Sequence, residues 1–465
     1  MEHKTVNHIV LISLDTLRGD CVGSSKFKHL SAEIQALLPT NPTYLDTIAR
    51  KGIHFSNCYS AAPFTTASHA SILTGMLPLH HGVFEYFNSE IQHKTLIEYA
   101  SEAGYKTLFQ TDFPAILCEA LGFRRGVQHT YIEDENTALK SLEDLMTQGK
   151  TFSFFHFGGI HYPYGFHTLK FSGDDYRNKV SRLETECGLL GNELPKDTFD
   201  EANRDEEDKE LLYRYKRVVE HLYSQKQYQR LTELYYEGFQ YFCETRFRPF
   251  LERLEQLLQD KDNLIVIFGD HGEDWSTESK GHYKSLTKGV LNVPLIVLGS
   301  NISPRLVSEN VRTVDIAPTL LPAMGVHSAG GLDGMPLNLS ADWSYDPDLI
   351  AIAQVWLGVG KQELIEHIAS INESGSIVTK MQTVLRGETA IQGEAQITRR
   401  FDETGALVKE WIVSGVDINE PTLLEKKAFL SNVLDKYNSS ALPKNRTNLP
   451  DESVREQLRL MGYNL

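Results

Sequence analysis

Four groups of residues have types and spacings that can do chemistry. Asp15, in Ser13-Leu14-Asp15-Thr16-Leu17-Arg18-Gly19-Asp20, follows an apolar run, where it is either a metal ligand or the cap of the next helix. In Pro63-Phe64-Thr65-Thr66-Ala67-Ser68-His69-Ala70-Ser71-Ile72-Leu73-Thr74-Gly75 a hydroxyl cluster opens a helix. Backbone N–H groups and the helix dipole favour an anion there, so Thr65 is a candidate nucleophile inside an anion site; an ordinary Thr or Ser cap is the alternative. Gly269-Asp270-His271-Gly272-Glu273-Asp274 sets a carboxylate and an imidazole together past a second apolar run, as metal ligands or as a structural turn. His161 and His282 lie at the ends of apolar segments, and in a chain with 17 histidines either one alone is more often a satisfied, partly buried imidazole than a ligand or acid.

The elements that must position these groups are short apolar runs at His8–Leu14, Phe152–Phe157, Asn263–Phe268 and Val293–Leu298. They alternate with helical patterns over the first two thirds of the chain, which predicts an α/β fold with a mainly parallel sheet. Asp15 and Asp270 directly follow two of these runs, and open α/β sheets bind ligands beyond the carboxyl ends of their strands. Residues 165–235 are charged and helix-prone, with acidic runs at Asp197–Glu201 and Asp205–Asp208. They form a helical insertion whose charges are a solvated face, or a lid over the site. After residue 341, β-branched segments at 377–385 and 389–401, flanked by Gly375, Gly387 and Gly405, predict a small antiparallel sheet. Val454, Leu458 and Met461 at helical spacing predict a terminal helix over 451–463. The expected division is a catalytic domain over 1–340 and a C-terminal subdomain over 341–465.

Composition excludes whole classes. With 465 residues, 41% of them hydrophobic and 10% aromatic, the chain can bury one large core or two unequal ones, so disorder and a small disulfide scaffold are out. A net charge of −16 repels a phosphate backbone and argues against nucleic acid as a bulk partner. Cys21, Cys58, Cys118, Cys187 and Cys243 lie far apart without metal-binding spacing and read as reduced, buried thiols. No stretch approaches the roughly 18 uncharged residues of a membrane span, and the first apolar run is too short and too early for a signal segment. The expectation is a cytoplasmic protein with no membrane partner, its oligomeric state open.

The order of these pieces resembles the sulfatase family of the alkaline phosphatase superfamily. Leu14–Asp20, Tyr44–Phe55, Ser68–Gly75, Gly269–Glu273, Gly281-His282 with Val293–Val297, and Val314–Leu320 follow one another in family order, and Leu458–Tyr463 is similar as well. The resemblance implies a divalent metal at the strand ends, with Asp15, Asp270 and His271 as ligands. It puts Thr65 at the nucleophile position, its oxygen also on the metal. His161 and His282 match the family's active-site histidines. Those hold oxygens of the transferred group or protonate the leaving group in one-metal relatives, and bind a second metal in two-metal relatives. His69, one turn beyond Thr65, is a further catalytic candidate that orients the nucleophile or the transferred group. Lys280, Lys284 and Arg18 are candidates for neutralising charge, with surface charge or structural ion pairs as the alternative.

The departures from the family pattern are informative. Conversion to formylglycine needs a Cys or Ser followed by a Pro and an Arg, whereas this chain has Thr65, Ala67 and His69. The family's Gly-Lys-Trp-His element is also missing, Gly104-Tyr105-Lys106-Thr107 standing in its place. A threonine nucleophile is similar to the phosphoryl-transfer members of the superfamily, in which a metal-activated hydroxyl attacks phosphorus. Phe157 occupies the position where two-metal relatives carry a carboxylate, which favours one metal over a second at His161 and His282. A mixed oxygen and nitrogen donor set suits Mn2+ or Zn2+, with Ca2+ and Mg2+ open. The expected activity is hydrolysis of a small phosphate diester, phosphate monoester or phosphonate monoester through Thr65. The alternatives are a sulfatase without formylglycine, a transferase of the phosphoryl group, and a non-catalytic binding protein.

Overall fold

A computed structural model describes residues 5–23, 42–84, 90–114, 116–170, 172–189, 207–276, 281–326, 331–340, 346, 348–357, 383–414 and 420–440. Strands β1 (His8–Leu14), β2 (Ile53–Tyr59), β3 (Lys106–Thr111), β4 (His129–Ile132), β5 (Thr151–Phe157), β6 (Asn263–Gly269), β7 (Asn292–Gly299) and β8 (Arg305–Arg312) form one sheet in the order β4-β3-β5-β1-β6-β7-β2-β8. All pairings in it are parallel except those of β7, which runs antiparallel to β6 and β2. The continuous apolar character of β1 and β6 follows from burial on both sheet faces.

Alternation along β1 divides the core. Val10, Ile12 and Leu14 face one cluster, formed with helices α2 (Glu135–Gln148), α3 (Asp174–Glu186), α4 (Glu207–Ser224), α5 (Tyr228–Phe242) and α6 (Arg248–Leu258), whereas Ile9 and Leu11 face the other. That second layer contains helix α1 (Thr65–Thr74) and helix α7 (Ile316–Ala323). The insertion thus contributes Tyr215, Leu231 and Tyr235 to a packed core, with Tyr235 buttressing the chain just after β1. Of its acidic runs, residues 197–201 and 205–206 lie outside the described residues.

The second sheet is antiparallel, in the order β12-β11-β10-β9, from β9 (Ala351–Leu357), β10 (Val384–Gln392), β11 (Ala395–Phe401) and β12 (Leu407–Ser414). Helix α8 (Glu420–Asn438) packs Leu430 and Leu434 on Ala390 and Ile397. The boundaries differ from the expected ones. Gly387 is not a strand end but sits within β10 at a register shift, where an added Cβ would come within 3.1 Å of Leu286 Cδ1. The hairpin turn falls instead at Gly393, whose φ is +57°. Residues 377–382 and the expected terminal helix over 451–463 lie outside the described residues. No helix among the described residues is long and apolar enough to cross a membrane.

Candidate active site

Parallel register assembles the acidic pair. Leu14 of β1 lies beside Gly269 of β6, so Asp15 and Asp270, each one residue further on, leave the sheet side by side. Just beyond Asp15 the backbone is strained: Thr16 has a φ of +58°, a conformation that costs a β-branched residue about 1–2 kcal/mol. Tertiary bonds hold it, its N–H donating to Asp270 Oδ1 at 3.2 Å and its carbonyl accepting the Tyr235 hydroxyl at 2.7 Å.

Thr65 is the first residue of α1, a helix buried along its whole length. Two bonds tie α1 to the strand ends: Ser68 Oγ donates to the Asp270 carbonyl at 2.7 Å, and His69 Nε2 lies 2.8 Å from Ser13 Oγ. The Thr65 hydroxyl, thereby fixed, donates to Asp15 Oδ2 at 3.2 Å and lies 3.4 Å from His271 Nε2.

A ring nitrogen next to a backbone carbonyl must carry the proton, because the carbonyl only accepts. His271 Nδ1–H therefore donates to the Gly272 carbonyl (3.0 Å), leaving the Nε2 lone pair 3.4 Å from Asp270 Oδ2 and 3.7 Å from Asp15 Oδ1. His161 Nδ1–H likewise donates to the Tyr162 carbonyl (2.9 Å), and His282 Nδ1 is held 3.1 Å from Glu273 Oε2. The rings of His271 and His282 lie 4.4 Å apart, and those of His282 and His161 5.5 Å. Burial holds His271 down at about 3 and His282 at about 4, so both imidazoles are neutral at pH 7.

The two carboxylates are unequal. Burial and the charge of Asp15 push Asp270 well above the usual range. Burial also opposes ionisation of Asp15, but the His156 hydrogen bond and the His161 and His271 rings outweigh it and hold Asp15 below that range. Asp15 Oδ1 and Asp270 Oδ2 are buried without a hydrogen-bond partner, and donor atoms of Asp15, Asp270 and His271 lie within 4.8 Å of one another. Orphaned carboxyl oxygens facing an imidazole lone pair fit a divalent cation, which would satisfy both and favour ionisation of Asp270. Among the described residues no other group of three potential ligands converges in this way.

The structure therefore brings Asp15, Thr65, Asp270, His271, His161 and His282 together. Of the two roles expected for His69, its contacts fit the one on Thr65: its Nδ1–H donates to the Thr65 carbonyl at 2.8 Å and its Nε2 accepts from Ser13, so both nitrogens are used within the protein. Arg18 pairs with Asp20 through both oxygens (2.9 and 2.6 Å) and is 3% exposed, a structural role. Lys284 is exposed, and Lys280 lies outside the described residues. His156 and Glu273 escaped the sequence reading. His156 Nε2–H donates to Asp15 Oδ2 at 3.2 Å. Its signal was an imidazole one residue before the end of a mostly aromatic strand, and the structure sets it in register with Ser13. Glu273, buried and thereby raised to about 8, orients His282.

The Sulfatase family model matches residues 7–326. An arylsulfatase of Clostridium perfringens is 37% identical over 102 residues, which are 22% of this chain and 19% of that protein. A protein solved in complex with its substrate D-glucosamine-2-N,6-O-disulfate superposes with a TM-score of 0.60 at 16% identity, over 94% of this chain and 98% of its own. The phosphonate monoester hydrolase of Agrobacterium radiobacter gives a TM-score of 0.56 at 14% identity, over 95% and 100%. With the fold, the strand-end acids and the family model in agreement over some two thirds of its length, this chain belongs to the sulfatase family.

Proposed function

We propose that this protein hydrolyses small phosphorus esters, either phosphate diesters and monoesters or phosphonate monoesters, with Thr65 as nucleophile and one divalent cation. The observation that carries the reading is the Thr65 hydroxyl, held 3.2 Å from Asp15 Oδ2 and 3.4 Å from His271 Nε2 at the first turn of a buried helix. Asp15, Asp270, His271 and the Thr65 oxygen would hold the cation, for which Mn2+ or Zn2+ suits the mixed donor set. When bound, the cation makes a hydroxyl more acidic and offsets negative charge on the transferred group.

The chain's own residues do the rest. Asp15 accepts the Thr65 proton in a hydrogen bond and so aims an oxygen lone pair outward. Attack forms the Thr65 Oγ1–phosphorus bond and breaks the ester oxygen–phosphorus bond. Water then cleaves the phosphothreonine, releasing the acid and restoring the hydroxyl. The Nε2 atoms of His161 and His282, whose opposite nitrogens are tied down, face the ester as bases: one takes up the proton that Thr65 releases on attack and then returns it to the leaving alcohol oxygen.

Phosphonate monoester hydrolases sharing the fold support the phosphorus class. The arylsulfatase segment favours a second reading, sulfate ester hydrolysis at the same residues without formylglycine. Rates on nitrophenyl phosphate, bis-nitrophenyl phosphate, nitrophenyl phenylphosphonate and nitrophenyl sulfate, with each of Mn2+, Zn2+, Ca2+ and Mg2+, separate the two. A phosphorus ester is expected to turn over fastest, and Thr65→Ala to lose at least about a thousandfold while staying folded. A faster sulfate ester, or an active Thr65→Ala, overturns the reading.

A further inference from the structure

Backbone strain is stored next to the candidate cation ligands. Of the non-glycine residues with a positive φ among the described residues, Thr16 alone is buried and β-branched. Strain of this kind persists only where neighbouring structure enforces it, and it gathers at functional sites. Thr16 directly follows Asp15, and its N–H donates to Asp270 Oδ1, so the strained residue links the two carboxylates. It also decides which oxygens stay open. With Asp270 Oδ1 engaged by the Thr16 and His271 N–H groups, Oδ2 is left without a partner, as is Asp15 Oδ1.

The enforcing group comes from helix α5. Tyr235 is fully buried, and its hydroxyl donates to the Thr16 carbonyl at 2.7 Å, accepts the Arg18 N–H at 3.0 Å and lies 3.9 Å from the Cys21 thiol. One oxygen thus clamps both ends of the turn from Thr16 to Arg18. Ring packing fixes that oxygen in its turn. Tyr235 meets Tyr164 edge-on, with centroids 5.7 Å apart, and Trp275 at 5.4 Å; Tyr164 and Trp275 meet each other edge-on at 5.3 Å. Tyr164 lies three residues beyond His161, and Trp275 four beyond His271. The three rings therefore join the segments that carry Asp15, His161 and His271.

We propose that Tyr235 is a positioning residue of the cation site: its hydroxyl holds Thr16 in the left-handed conformation that leaves Asp15 Oδ1 and Asp270 Oδ2 facing one cation. The proposal rests on the reading of Asp15, Asp270 and His271 as cation ligands, and adds that α5 sets their affinity. Without the hydroxyl, the buried Thr16 carbonyl and Arg18 N–H lose this partner. The turn then relaxes to an unstrained conformation, and the Thr16 N–H leaves Asp270.

Tyr235→Phe keeps the ring and removes only the oxygen. In isothermal titration of the chelator-stripped full chain with Mn2+ or Zn2+, it is expected to weaken binding about tenfold, the order set by the strain released. Tyr215→Phe is the matched control. It deletes another fully buried hydroxyl, one that donates to the Tyr164 carbonyl at 2.9 Å. This control is expected to lower the melting temperature to a similar extent and yet to bind the cation as wild type does. Glycine adopts a positive φ without strain, so in a Thr16→Gly background Tyr235→Phe is expected to weaken binding by less than about threefold. Coupling is reciprocal, so the cation is expected to slow hydrogen exchange in α5 of the wild-type chain, a measurement that needs no variant to fold. Unchanged affinity in Tyr235→Phe, an equal loss in Tyr215→Phe, the full tenfold effect beside Thr16→Gly, or indifferent exchange in α5 overturns the proposal. A wild-type chain that binds neither cation refutes the cation site itself, and the proposal with it.

Discussion

Imidazole chemistry organises this protein at the residue scale. His271, His161 and His69 each spend Nδ1–H on a backbone carbonyl, so each presents a defined Nε2 without a carboxylate having to set its tautomer. His81 uses the opposite tautomer, its Nδ1 accepting from Val83 N (3.1 Å) and its Nε2 donating to Ser71 Oγ (2.9 Å) at the far end of α1. Burial lowers His81 to about 3. A group whose pKa falls on folding contributes stability fully present above its unfolded value near 6.5 and lost progressively as pH drops toward 3. That loss is about 2 kcal/mol by pH 5. Denaturant unfolding of wild type and His81→Gln at pH 7.5 and pH 5 isolates this group. Wild type is expected to be the more stable at pH 7.5, with its advantage shrinking by about that amount at pH 5; a constant difference would refute the assignment.

Among the elements, the helices that follow the insertion are tied to the site by an arginine, beside the contact that Tyr235 makes with Thr16. Arg246 lies in the π-helical turn Cys243–Phe247 between α5 and α6. It binds Asp112 after β3 through two bonds (2.7 and 2.9 Å) and Glu135 at the start of α2 through two more, both 2.8 Å. Asp112 also accepts Gly158 N at 2.8 Å, and the Gly158 carbonyl accepts His161 N at 3.0 Å, so the arginine braces the turn carrying His161. Arg246→Met leaves two buried carboxylates uncompensated, and denaturant unfolding is expected to register a loss of about 3–5 kcal/mol. An effect under 1 kcal/mol would mean that the network is wet and replaceable.

For the whole molecule, the candidate cation site of Asp15, Asp270 and His271 joins two central strands, β1 and β6, so a cation held there would couple binding to global stability. A cation at about 100 times its Kd adds about 3 kcal/mol to the folded state, and chelation removes it. Scanning calorimetry with Mn2+ or Zn2+ is expected to raise the melting temperature of wild type, leave Thr65→Ala responsive, and leave Asp270→Asn unresponsive. An equal response in Asp270→Asn would place the cation elsewhere.

Much of this was legible in residue order. Alternating apolar runs and helical patterns announced the mainly parallel sheet, and Asp15 and Asp270 directly after two such runs announced the carboxylate pair, because chain direction alone puts them at strand ends. The family motifs likewise picked out Thr65, His161, His271 and His282. Tertiary structure decided what depends on registry between distant segments. That His156 rather than His69 reaches Asp15, that His69 holds Thr65 through its carbonyl, and that Gly387 lies beside a register shift and close to Leu286 all follow from which strands and loops are neighbours. So do the orphaned oxygens of Asp15 and Asp270. Residue type and local spacing specify what a side chain can do, but whether an atom has a partner depends on packing between segments hundreds of residues apart.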